Sequence, residues 1–256
     1  MSNNELSNLS NLVKLPYLLE ITAKGNQIGS LDFMADVSDA LKFLQKVDLS
    51  SNKITVLPHI VCPNLYKLIL DENEIATSEL KSHQNLKVLS LRKNKLTSCA
   101  GIERLYNLHT LILEENEIAT LKGLSVLPKM TTLNLKTNKL EKLDDLPRLE
   151  MIEDLQLDAN AIASADEIVK LKENTTLSSL SMGGNPFADE KGDDFKKEVL
   201  VALMDHLPKL KLINGEPYDE EVKTEAIALK EERRLAAEEA AKNPPPAEEA
   251  PAEDAE

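Results

Sequence analysis

The sequence predicts an α/β solenoid of about eight short repeats, with a parallel β-sheet on the concave face, short helices or turns on the convex face, and a cap at each end. Three observations predict it. Asparagine recurs at Asn26, Asn52, Asn73, Asn94, Asn116, Asn138, Asn160 and Asn185, at intervals of 26, 21, 21, 22, 22, 22 and 25 residues. That period matches one strand plus one return segment. Each asparagine sits in the frame L-x-x-L-x-L-x-x-N-x-L or a close variant. In the repeat around Asn116 the frame residues are Leu108, Leu111, Leu113 and Ile118, an apolar face that one repeat cannot bury and that stacked neighbours can.

The asparagines are expected to be scaffold. Where the chain leaves a strand, interior peptide groups lose their ladder partners, and a short amide side chain can satisfy them.

Residues 1–17 read as an N-terminal cap, because Leu6, Leu9, Leu12 and Leu15 recur every third residue and an open solenoid end needs a cover. Residues 18–187 hold the repeats. The long first interval contains Leu31, Met34, Val37, Leu41 and Leu44 at helical spacing, which predicts a helix there. The later returns, such as LKGLSVLPKM, are short and proline-marked and predict turns with a little 3₁₀. Residues 188–217 read as a C-terminal cap, with Phe195, Val199, Leu200 and Leu203 on one helical face followed by the strand-like LPKLKLIN. Residues 218–242 read as a charged, solvated helix. Its stripe of Val222, Ala226 and Leu229 is thinner than the several heptads a coiled coil wants. Residues 243–256, NPPPAEEAPAEDAE, have nothing to bury and predict an acidic disordered tail.

Composition narrows the functional classes. With 30 basic and 44 acidic residues the net charge is −14. Of this, −9 lies in residues 216–256, with 14 acids against 5 bases, leaving −5 for the body. Phosphate-backbone binding needs clustered Lys and Arg, so no direct nucleic-acid partner is expected. The start has no leader pattern and nowhere is there an apolar run long enough to span a membrane. Cys62 and Cys99 lie in different repeats and are expected as reduced thiols in an intracellular protein without membrane contact. The sequons at Asn8 and Asn174 then carry no meaning.

Phosphate-loop, dinucleotide, zincin, paired-cysteine and nucleophile-elbow motifs are all missing, so neither an enzyme nor a small-molecule substrate, cofactor or metal is expected. His59, His83, His109 and His206 fall at unrelated positions. Asp144 and Asp145 read as solvated turn acids. DEKGDD at 189–194 lacks the ligand spacing of a calcium loop.

Function should therefore lie on the concave face. The two positions before each asparagine run Ser50–Ser51, Asp71–Glu72, Arg92–Lys93, Glu114–Glu115, Lys136–Thr137 and Asp158–Ala159. Their sign alternates from rung to rung, so each charge has opposite partners on its neighbours. Mid-strand positions read Thr22, Asp48, Ile69, Ser90, Ile112, Asn134, Gln156 and Ser181, and Ile69 and Ile112 are expected exposed, forming an apolar strip with Tyr66 and His109. The candidate partner-binding residues are Tyr66, Ile69, Asp71, Arg92, His109, Ile112, Glu114, Lys136, Gln156 and Asp158. Aromatics make up only 3% of the chain and Trp is absent, so the face lacks the anchors of a tight interface and suits many modest contacts with other protein subunits.

GIERLYNLHTLILEENEIATL and the unit after it resemble the intracellular 22-residue subclass of leucine-rich repeats, typified by the repeat-type regulatory subunit of protein phosphatase 1. LPKLKLINGEPYDEEV resembles that subclass's C-terminal cap, and the likeness covers roughly residues 18–222. The subclass also includes a spliceosomal protein, acidic nuclear phosphoproteins and axonemal proteins. The charged continuation PYDEEVKTEAIALKEERRLAAEE is most similar to leucine-rich repeat subunits of ciliary radial spokes. The resemblance implies a structural subunit of the motile-cilium axoneme, in the cytoplasm and cytoskeleton. The alternatives are a phosphatase regulator or an adaptor in a nuclear complex.

Overall fold

Alternation of buried and outward residues over three-residue strands, each followed by an asparagine turn, builds one continuous parallel sheet. A computed structural model describes residues 1–35, 40–80, 83–124 and 127–242. The sheet comprises β1 (Glu20–Thr22), β2 (Lys46–Asp48), β4 (Lys67–Ile69), β6 (Val88–Ser90), β7 (Thr110–Ile112), β8 (Thr132–Asn134), β9 (Asp154–Gln156), β10 (Ser179–Ser181) and β11 (Leu212–Ile213) in sequence order, closed by the antiparallel β12 (Glu216–Pro217). A second, two-stranded parallel sheet joins β3 (Val56–Leu57) to β5 (Thr77–Ser78) on the returns.

The middle residue of each strand points inward. Ile21, Val47, Leu68, Leu89, Leu111, Leu133, Leu155 and Leu180 are all buried and belong to one apolar core running the length of the stack. Fully burying such a side chain contributes ~1.5–3 kcal/mol, and here the burial exists only because a neighbouring rung supplies the other wall.

The asparagines form the second interior row. Asn94 Nδ2 donates to the carbonyls of Leu70 and Leu91 at 3.0 Å each, and its Oδ1 accepts from the Ile75 amide at 3.0 Å. The same three bonds recur at Asn52, Asn73, Asn116, Asn138 and Asn160. Asn26 begins the row: its Oδ1 accepts from the Leu6 amide at 3.1 Å and its Nδ2 donates to the Met1 carbonyl at 2.9 Å. Residues 1–6 thus lie along the first rung as a partial turn of the solenoid, with Leu9 buried behind them and a 3₁₀ turn at Ser10–Lys14. At the far end Asn214 takes over, accepting from Met182 N–H at 2.8 Å.

The returns are 3₁₀ turns, as at Leu65 N–H to Cys62 O (3.0 Å) and Leu108 N–H to Leu105 O (2.8 Å). Of the helix expected across Leu31–Leu44, the described residues show α1 (Asp32–Ala35) and a turn at Leu41–Leu44. The Met34 carbonyl accepts from the Val61 amide of the next return at 2.9 Å, tying the two returns together. Leu31, Met34, Leu41 and Leu44 are buried. Val37 lies outside the described residues, as does the tail, 243–256, expected to be disordered.

At the C-terminal end come α2 (Ala165–Val169), α3 (Pro186–Lys191) and α4 (Phe195–Leu203). Phe195, Val199, Leu200 and Leu203 of α4 are buried, and Phe195 meets Phe187 edge-on at 6.0 Å. The last helix, α5 (Glu220–Lys242), departs from the solvated helix expected for 218–242. Its first half docks on α4. Ala226 is buried, and Arg233 grips Glu198 with two hydrogen bonds of 2.8 and 2.7 Å. Residues 231–242 are exposed throughout.

Candidate protein-interaction surface

The outward residues of the strands fall into two columns fixed by the parallel register. The first is Glu20, Lys46, Lys67, Val88, Thr110, Thr132, Asp154 and Ser179; the second is Thr22, Asp48, Ile69, Ser90, Ile112, Asn134, Gln156 and Ser181. Adjacent members are ~4.8 Å apart, so any charge meets its neighbours directly.

Beyond the second column the chain turns. Ser51, Glu72, Lys93, Glu115, Thr137 and Ala159 all adopt left-handed backbone, with φ between 52° and 56°. The paired positions expected as outward strand residues are therefore split. The first of each pair continues the ladder and the second sits on the bend. Gly25 and Gly184 occupy the bend at the two end rungs, where the residue type itself signals the geometry.

The alternating charges pair in part. Arg92 Nε lies 3.5 Å from Glu114, and its Nη2 also bonds Glu115. Burial alone would lower the guanidinium's pKa, but the two carboxylates outweigh it and hold the group above its ordinary value. Asp71 accepts from Ser90 Oγ at 2.5 Å and from the Arg92 amide at 3.0 Å. Burial, together with the nearby Asp48 charge, still raises its carboxyl above the usual range. Lys136 pairs with Asp158 at 3.2 Å, and Asp158 also accepts from Ser181 and from Gly183 N–H at 3.2 Å. Asp71, Arg92 and Glu114 thus form one run on consecutive rungs, while Lys136 and Asp158 form another. Gln156 turns back on Asp154, donating at 2.5 Å.

The expected apolar strip is corrected by the register. Tyr66, Ile69, His109 and Ile112 are half-buried rather than open. Ser90, itself buried, stands between Ile69 and Ile112, and Lys87 stands between Tyr66 and His109. His109 Nδ1 contacts the Asn107 carbonyl at 2.7 Å. The four residues mark two separate spots two rungs apart.

Three features escaped the sequence reading. A second charge column follows each asparagine, pairing Glu74 with Lys95 and Glu117 with Lys139 at 2.7 Å each. An outer row, Asn64, Asn85 and Asn107, donates to the carbonyls of Lys42, Pro63 and Gln84 at 2.5 Å each. Both were visible as 21- to 22-residue recurrences once the columns beside the asparagine were read. The third is a stacked pair, Tyr17 and Phe43, with ring centroids 5.8 Å apart.

Residues 106–148 match the family model for leucine-rich repeats in two copies. Among solved structures, the chain is similar to an internalin (InlF) from Listeria monocytogenes, at 19% identity with a TM-score of 0.68 over 84% of this chain and 59% of that one. It is similar as well to the functional domain of InlJ from Listeria monocytogenes, at 19% identity and a TM-score of 0.58 over 87% of this chain and 55% of that one. The chain spans little more than half the length of these two structures, and the likeness is one of fold. No curated protein matches it.

Proposed function

We propose that this leucine-rich repeat protein is a non-enzymatic scaffold that binds other proteins across its concave sheet, and that it serves as a structural subunit of the motile-cilium axoneme, at the radial spokes. Repeats of this kind generally serve as interaction scaffolds. Two runs of paired charge over five consecutive rungs, without large aromatic anchors, suit recognition by shape and charge pattern. The observation that carries the reading is α5. The helix is fixed to the terminal cap as far as Arg233, and residues 234–242 beyond it are exposed, the geometry of a strut that spaces the solenoid within an assembly.

The test is localisation of tagged full-length chain in a multiciliated cell, followed by salt extraction of demembranated axonemes. The proposal expects retention along the axoneme at low salt and release at high salt, where exposed charge contacts are screened. A diffuse cytoplasmic or nuclear signal overturns it.

A further inference from the structure

Nearly every charge column on this sheet is neutralised by its neighbours, and one is not. Lys46 and Lys67 are register partners on β2 and β4, and Lys87 follows on the next rung, immediately before β6. Lys46 has a loose contact with Glu20 at 3.8 Å. Among the described residues, Lys67 and Lys87 have no ion pair. Like charges directly opposite one another on a sheet are destabilising, so the Lys46–Lys67 pair costs stability that the alternation elsewhere avoids, and Lys87, beside Tyr66 on the next rung, adds a third cation to the same edge. Tyr66 lies within it, and the stacked Tyr17 and Phe43 flank it on the first two rungs, Tyr17 being 79% exposed.

Within the same protein, residues 243–256 have the complementary chemistry: Pro244, Pro245, Pro246 and Pro251, five carboxylates and no basic residue. Proline runs favour the polyproline II helix, rising ~3.1 Å per residue, and dock on aromatic faces. Two rungs separate the Tyr17–Phe43 pair from Lys67 and Lys87, ~10 Å at the sheet spacing. Three residues separate Pro245 from Glu248, about 9 Å in that conformation. We infer that the leading edge of the first four rungs, with Tyr17 and Phe43 receiving prolines and Lys46, Lys67 and Lys87 receiving carboxylates, is a docking site for the acidic proline-bearing segment 243–256 of this protein. The inference is independent of the axonemal reading, and localisation of the chain does not bear on it.

The test uses the full-length chain. Amide resonances of Phe43, Lys46, Tyr66 and Lys67 are compared between wild type and a chain carrying E248Q, E249Q, E253Q, D254N and E256Q, alongside zero-length carbodiimide cross-linking. The expected result is shift differences confined to that edge, and tail cross-links to Lys46, Lys67 and Lys87 in preference to the exposed Lys209 and Lys211. The shifts should persist when the three lysines become Arg and vanish when they become Gln. Mixing isotope-labelled and unlabelled chains tells which copy supplies the segment, and either pairing supports the site. Identical spectra for the two chains, or cross-links spread evenly over surface lysines, overturn it.

Discussion

Asn116 Nδ2 donates to Leu91 O and Leu113 O at 2.9 Å each, and its Oδ1 accepts from Leu96 N–H at 3.1 Å. One side chain thereby satisfies buried peptide groups in two successive turns. Asn116→Ala leaves them bare, and because each orphaned group costs ~1–3 kcal/mol, urea denaturation should show a loss of about 3 kcal/mol. A loss below about 1 kcal/mol would mean that the row is ornamental. The bend residue beside it in each turn works against the fold. Thr137 holds φ 54°, where a β-branched side chain is strained. Thr137→Gly should stabilise by roughly 0.5–1 kcal/mol, the difference between the strain relieved and the flexibility added to the unfolded chain. His83 adds a pH dependence. Its ring is buried, with Nε2 on the Cys62 carbonyl at 2.9 Å, and burial holds its pKa below 6.5. The unfolded chain therefore takes up the proton first, so stability present above pH 6.5 is lost as the pH falls through the lowered value. Denaturation midpoints at pH 7 and 5.5 should diverge, and His83→Gln should flatten that dependence.

Among the elements, α5 is held by charge as much as by Ala226. The Arg233 hydrogen bonds hold Glu198 below its ordinary pKa of 4.5, against the opposing effect of burial. The docked state thus binds fewer protons at Glu198 than the undocked one. Docking is complete above pH 4.5 and weakens as the pH falls through the lowered value. Hydrogen exchange at residues 222–230 should speed up in Arg233→Ala and in acid, while β4 to β9 keep their protection. If those strands loosen together with α5, the helix is part of the core and not an appendage. The column Glu74–Lys95 and Glu117–Lys139 is half-exposed, at 2.7 Å, and such pairs contribute little. Its effect is to hold rungs in register and to avoid like-charge contact.

Over the whole molecule, rungs touch only their neighbours, so damage should stay local. Gly101, at φ 85°, passes so close to the preceding return that an added Cβ would lie 1.6 Å from the Ser78 carbonyl. Gly101→Ala forces those two returns apart. Exchange protection should fall most in the rungs around Asn73 and Asn94 and recover within about two repeats on either side. A uniform loss from end to end would show that the stack unfolds as one cooperative unit.

The 21- to 22-residue period determined the strands, the buried leucines and the asparagine row, because each repeats the same local chemistry at the same spacing. The candidate surface was legible only as columns of letters. Asp71, Arg92 and Glu114 adjoin as read, since the strand register follows from the period. The split at the left-handed bend was not legible, because Glu72, Lys93 and Glu115 are residues that do not advertise a positive φ. The breaks at Ser90 and Lys87 in the apolar strip depend on which side chains share a rung edge. The docked α5 was decided by the tertiary structure, for a physical reason. The Arg233 guanidinium finds its partner far away in sequence, on Glu198. Local helical spacing carries no information about a competing bond made across the stack.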